Sequence, residues 1–126
     1  MQEFERVMKA NVKEVMHGIK HTAQVMIPNR KGSIISTASI AGIVGGVTPY
    51  PYNASKHDVI GQTKSGAAEL GKCCKRVNCI SPAIAPTDTA MKYMGMTPSP
   101  EAKAKVGAAA QAIAPLKEAV LKVEDI

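Results

Sequence analysis

The chain has 126 residues, room for one domain at most. Hydrophobic residues make up 45% of it, an ordinary globular share that excludes global disorder. The net charge of +6, from 16 basic and 10 acidic residues, invites a nucleic-acid partner. The basic residues are spread along the chain, however, and aromatics are only 3%, so base-stacking platforms are scarce; a solvated basic surface is the better reading, and no nucleic-acid partner is expected. No apolar stretch opens the chain, so neither a signal peptide nor a membrane span is expected. Three cysteines, Cys73, Cys74 and Cys79, are an odd set that builds no disulfide framework and suits a reducing, cytoplasmic compartment.

Residues 3 to 27 read as one amphipathic helix, with Phe4, Met8, Val12, Val15, Ile19, Ala23 and Met26 recurring at steps of three and four. Pro28-Asn29-Arg30 ends it. Gly32 to Ala38 is a short apolar strand. A glycine-rich loop covers 41 to 50. Pro51 suits a first helical turn, and a helix runs from there to about Leu70. Arg76 to Ser81 is the next strand. Strand, crossover helix and strand in this order predict a parallel pair with a right-handed connection. Pro82 to Pro100 is a Pro-, Thr- and Met-rich loop carrying a short helix, and Ala102 to Ile113 is an alanine-rich helix.

Tyr52-Asn53-Ala54-Ser55-Lys56 carries the chemistry. A tyrosine and a lysine four apart on a helix share a face. A fixed ammonium favours phenolate over phenol and lowers the tyrosine pKa, which makes Tyr52 a candidate general acid/base for an alcohol or carbonyl. Ser39, thirteen residues upstream, can hold the same oxygen by a hydrogen bond.

With the serine in Ser36-Thr37-Ala38-Ser39-Ile40-Ala41-Gly42, the asparagine in Lys9-Ala10-Asn11-Val12 and the strand Arg76-Val77-Asn78-Cys79-Ile80-Ser81-Pro82, the chain resembles the short-chain dehydrogenases/reductases. The stretches His17 to Met26 and Arg76 to Pro82 look most like plant members acting on lignans and terpenoids, the secoisolariciresinol dehydrogenases among them. The resemblance implies a Rossmann-type, doubly wound parallel α/β sheet, of which residues 1–126 are a single partial domain. It also implies NAD- or NADP-dependent interconversion of a secondary alcohol and a ketone. Tyr52 would exchange the proton. Lys56 would lower its pKa and bind the nicotinamide ribose. Ser39 would orient the substrate oxygen, and Asn11 would anchor a water linking Lys56 to solvent. Pro82 and Thr87 match the family's P-G-x-V-x-T segment at the nicotinamide carboxamide, although Ala83 and Ala85 replace its glycine and valine.

Gly42, Gly45 and Gly46 do not spell the G-x-G-x-x-G turn that holds a dinucleotide pyrophosphate, and no strand with a ribose-binding acid follows them. The expectation is therefore a truncated chain that lacks the N-terminal nucleotide-binding half and the C-terminal strand, and that is inactive alone. The competing expectation is a non-catalytic protein that pairs with an intact subunit. The family's subunits associate through two long helices, here 3–27 and 51–70, which implies a homo-oligomer.

Several residues depart from the family pattern. Asp58 stands for Ala or Gly, Gly66 for a leucine, Cys74 for a glycine after the helix, and Lys75 for an apolar residue. Three other motifs read as incidental. Gly66 to Lys72 fits G-x-x-x-x-G-K but continues into Cys73 and ends a helix. Asn53-Ala54-Ser55 is a glycosylation sequon inside the catalytic helix. His17 and His21 share a helix face without a third metal ligand, and no metal is expected.

Overall fold

The computed structural model describes residues 1–46, 48–114 and 121–126, with Tyr93 described by its backbone alone. Val47, inside the expected glycine-rich loop, lies outside the described residues. The chain divides into two compact units, Met1–Ser81 and Pro82–Ile126.

In the first unit the expected helix over 3–27 is three pieces: α1 (Gln2–Met8), a π-helical turn (Lys9–Lys13) and α2 (Glu14–Met26). A 3₁₀ turn over Ile27–Asn29 carries Pro28, and Arg30 then leaves in the left-handed region at φ 49°. β1 (Ser33–Thr37) and β2 (Arg76–Ile80) are parallel and pair from Ser33↔Arg76 to Thr37↔Ile80. The crossover is α3 (Tyr50–Gly71), which starts after Pro49 and takes Pro51 in its first turn. This is the α/β arrangement that the order of elements requires.

Ile34 and Val77 are adjacent in the register and point to the same side, where they pack with Ala23, Leu70, Ile19, Met26 and Ala67. The next residue on β1, Ile35, faces the other way and is 65% exposed. A doubly wound sheet is covered on both faces; in this unit the helices cover one face of the pair.

The second unit holds α4 (Asp88–Tyr93) and α5 (Pro100–Ile113). Each helix is capped by a hydroxyl. Thr87 Oγ1 accepts from the amide of Ala90 at 3.0 Å, and Ser99 Oγ from the amide of Ala102 at 3.1 Å. Ile84, Met94, Met96, Val106 and Ala109 line a small apolar pocket between loop and helix in this unit. Among the described residues no helix is long and apolar enough to cross a membrane.

Candidate active site

Tyr52 and Lys56 occupy successive turns at the start of α3, as their spacing requires. Lys56 Nζ lies 5.5 Å from the centre of the Tyr52 ring. It also donates to the main-chain carbonyl of Thr37, the last residue of β1, at 2.8 Å. An ammonium has three donors, so this tether fixes the charge in place and leaves capacity for further oxygen acceptors. Partial burial holds the Lys56 pKa below its ordinary value, because desolvation disfavours the charged form.

Ser39 follows β1 in extended conformation and caps the 3₁₀ turn Ile40–Gly42, its Oγ accepting from the amide of Ala41 at 3.1 Å. A hydroxyl that accepts one bond keeps its own O–H to give. Gly42 closes that turn against α3. A Cβ there would stand 2.5 Å from the carbonyl oxygen of Lys56 and 2.8 Å from its carbon. The missing side chain is thus what lets the Ser39 turn lie directly on the helix that carries Lys56.

Asn11 sits inside the π-helical turn and reaches the same helix. Its Nδ2 donates to Ser55 Oγ at 3.0 Å, and Ser55 Oγ donates to the carbonyl of Tyr52 at 2.7 Å. Gln62 Nε2, further along α3, donates to the carbonyl of Val12 at 3.1 Å and to Asp58. The first unit therefore brings Asn11, Ser39, Tyr52 and Lys56 onto one stretch of α3. Pro82 and Thr87 belong to the second unit, where Thr87 serves as the cap of α4.

Sequence reasoning passed over Thr37, Gly42, Ser55 and Gln62, whose partners are distant in the chain. Gly42 carried a visible signal, a glycine three residues after the candidate serine. The incidental motifs take ordinary positions. Gly66 to Gly71 is the last part of α3, followed by Lys72 at its C-terminus. Asn53 Nδ2 is engaged with the carbonyl of Val44 at 3.0 Å. His17 and His21 are exposed with ring centres 6.2 Å apart. The cysteines are free thiols.

A sequence model described as short chain dehydrogenase matches residues 1–97. The chain belongs to that family. It is 49% identical over 92 residues to zerumbone synthase of Zingiber zerumbet, covering 73% of this chain and 34% of the relative. It is 49% identical over 94 residues to (+)-borneol dehydrogenase 2 of Salvia officinalis, covering 75% of this chain and 33% of that protein. With secoisolariciresinol dehydrogenase of Forsythia intermedia the identity is 48% over 94 residues, covering 75% and 34%. The chain spans about a third of the length of these curated relatives. Among solved structures, levodione reductase superposes with a TM-score of 0.80 at 29% identity, over 97% of this chain and 46% of the other. NAD+-bound xylitol dehydrogenase superposes with a TM-score of 0.78 at 26% identity, over 96% and 49%. These likenesses place the parallel pair and its crossover helix within the short chain dehydrogenase fold.

Proposed function

We propose that residues 1–126 carry the proton-transfer apparatus of an NAD(P)-dependent oxidoreductase that interconverts a secondary alcohol and a ketone. The observation that carries this reading is the Lys56 ammonium held 5.5 Å from the Tyr52 ring and tethered to Thr37. A positive charge at that range stabilises the phenolate and brings the phenol closer to neutral pH. Tyr52 takes the hydroxyl proton in the oxidative direction and returns it in reduction. Ser39 donates its O–H to the reacting oxygen, and Asn11 fixes the turn that faces α3.

The nicotinamide, when bound, supplies or accepts the hydride. The first unit fits its ribose end, where the Lys56 ammonium offers donors to ribose hydroxyls; Pro82 and Thr87 match the family's carboxamide segment by sequence alone. The residues present do not fit the pyrophosphate end, because the sequence contains no G-x-G-x-x-G turn. Residues 1–126 alone are therefore proposed to bind cofactor weakly and to turn over poorly, and they act in a cytoplasmic setting.

A second reading, pairing with another subunit through helices 3–27 and 51–70, is favoured by Met16 and Val25. These stand 61% and 72% exposed on α2. The same faces would serve a homo-oligomer.

The test is replacement of Tyr52 in the protein supplied with NAD or NADP and a secondary alcohol. Tyr52→Phe keeps the ring and removes the acid/base, so turnover falls by about a hundredfold or more. Full turnover in Tyr52→Phe, measured by nicotinamide absorbance, overturns the reading.

A further inference from the structure

Ser55 lies between Ala54 and Lys56 in α3 and is completely buried. A mid-helix serine ordinarily returns its O–H to a carbonyl of the preceding turn, which bends or loosens the helix slightly. Ser55 does this to Tyr52, and its oxygen also accepts the amide of Asn11, 44 residues away. One hydroxyl therefore links the π-helical turn to the backbone of the proposed acid/base. A π turn inside an α-helix is rare and is held by specific partners. Here those partners come from α3: Ser55 for the Asn11 side chain and Gln62 for the Val12 carbonyl. Both Gln62 amide hydrogens go to oxygen acceptors, Val12 O and Asp58 Oδ1, while its own Oε1 is buried without a partner. The geometry of this strut thus prevails over full satisfaction of the glutamine.

We propose that Ser55 is a positioning residue for proton transfer, locking the turn that carries Tyr52 and Lys56 to the π-helical turn at Asn11. The proposal rests on the reading of Tyr52 as acid/base. Ser55 does not touch the reacting atoms; its hydroxyl holds the Tyr52 backbone from one side and Asn11 from the other. Without it, Asn11 loses its acceptor, and the Tyr52 backbone loses its link to the π-helical turn. Misplacement of a reacting group by a fraction of an ångström lowers turnover more than binding.

The experiment compares Ser55→Ala, Asn11→Leu and the double variant in the full protein. Steady-state kinetics with nicotinamide cofactor and a secondary alcohol are paired with amide hydrogen exchange over residues 9–15 and 50–58. In Ser55→Ala, kcat is expected to fall roughly tenfold while KM for both substrates changes less than about twofold. The double variant is expected to be no slower than the slower single variant, because both changes cut the same link. Exchange should quicken in both segments of Ser55→Ala. A kcat within twofold of the unaltered protein, a rise in KM alone, or additive losses in the double variant would each overturn the proposal. If Ser55→Ala does not fold, Ser55→Cys keeps the size with a weaker donor and acceptor, and there kcat should fall between the two; an unchanged kcat overturns the proposal. Retained turnover in Tyr52→Phe removes the acid/base reading instead, whereas turnover too low to measure in every form, as the missing pyrophosphate turn would produce, leaves that reading in place. The exchange measurement then decides alone whether Ser55 couples the two segments: unchanged exchange sinks it, faster exchange in both supports it.

Discussion

Lys56 donates to the Thr37 carbonyl at 2.8 Å, so the end of β1 and the first turns of α3 are joined by a charged side chain. The same ammonium stands over Tyr52, and one residue therefore serves both architecture and electrostatics.

Lys56→Met separates these roles. It keeps the aliphatic stem and removes the charge, so the Tyr52 phenol should ionise at higher pH. Ultraviolet difference titration reads this, with Tyr52→Phe as the reference that isolates Tyr52 from Tyr50 and Tyr93. Turnover should fall, and its acidic limb should move to higher pH. An unmoved phenol titration would separate Lys56 from the tuning of Tyr52.

Lys56 also leaves a mark on stability. Its folded pKa is lowered by desolvation from an ordinary 10.5. Between the lowered value and 10.5 the unfolded chain binds more protons than the folded one, so this residue makes stability rise with pH across that window. Below the window both states are protonated and the desolvation cost is fully present. Urea melts at several alkaline pH values should show a smaller upward slope in Lys56→Met than in the unaltered protein; equal slopes would contradict the burial of this charge.

Gly42→Ala should loosen the site. The new Cβ would collide with the Lys56 carbonyl and crowd Ile60 Cδ1 at 2.9 Å. The 3₁₀ turn must then lift off α3 and take Ser39 with it, at a cost of about 1–3 kcal/mol. Gly45→Ala is the control, since nothing lies within 4 Å of a Cβ at that position. Thermal melts of the two variants check this, and equal midpoints would count against the close approach.

Gly66→Ala should act in the opposite direction. Its Cβ would meet Val77 Cγ1 at 3.6 Å and Ile19 Cγ2 at 3.7 Å, ordinary contact distances beside the core. Alanine is also the better helix former by roughly 1 kcal/mol. The melting midpoint should rise by a few degrees; a lower midpoint would mean that the space is not there.

The sequence announced the elements whose causes are local. Pro51 fixed the first turn of α3, and the apolar runs around Ile34 and Val77 fixed the strands and, through the crossover, their parallel pairing. Tyr52 and Lys56 were legible for the same reason, since a spacing of four on a helix needs no tertiary information. Cys74 was flagged where a glycine was expected, and it does adopt φ 61°. The π turn was not legible. Lys9-Ala10-Asn11-Val12-Lys13 contains no glycine or proline, and the bonds that hold the turn come from Ser55 and Gln62, 44 and 50 residues further on. The fate of Lys75 was hidden too. An apolar residue was expected, and the lysine is nevertheless buried, at 3% exposure, with its ammonium given to the Cys73 carbonyl at 2.7 Å.

The widened turn at Lys9–Lys13 also changes how this helix is counted. A π turn inserts about one residue into the α-helical count, and one residue is about 100° of rotation. The apolar ladder from Phe4 to Met26 therefore does not run straight: ahead of the turn it is Val7, between the expected rungs, that is buried, while Ala23 is buried behind it. The two halves are out of phase by design of the turn, and each faces α3 on its own terms. Shortening this region by one residue would do more than trim the helix. It would rewind the N-terminal half by most of a third of a revolution and swing the Asn11 amide off the side of α3 where Ser55 receives it.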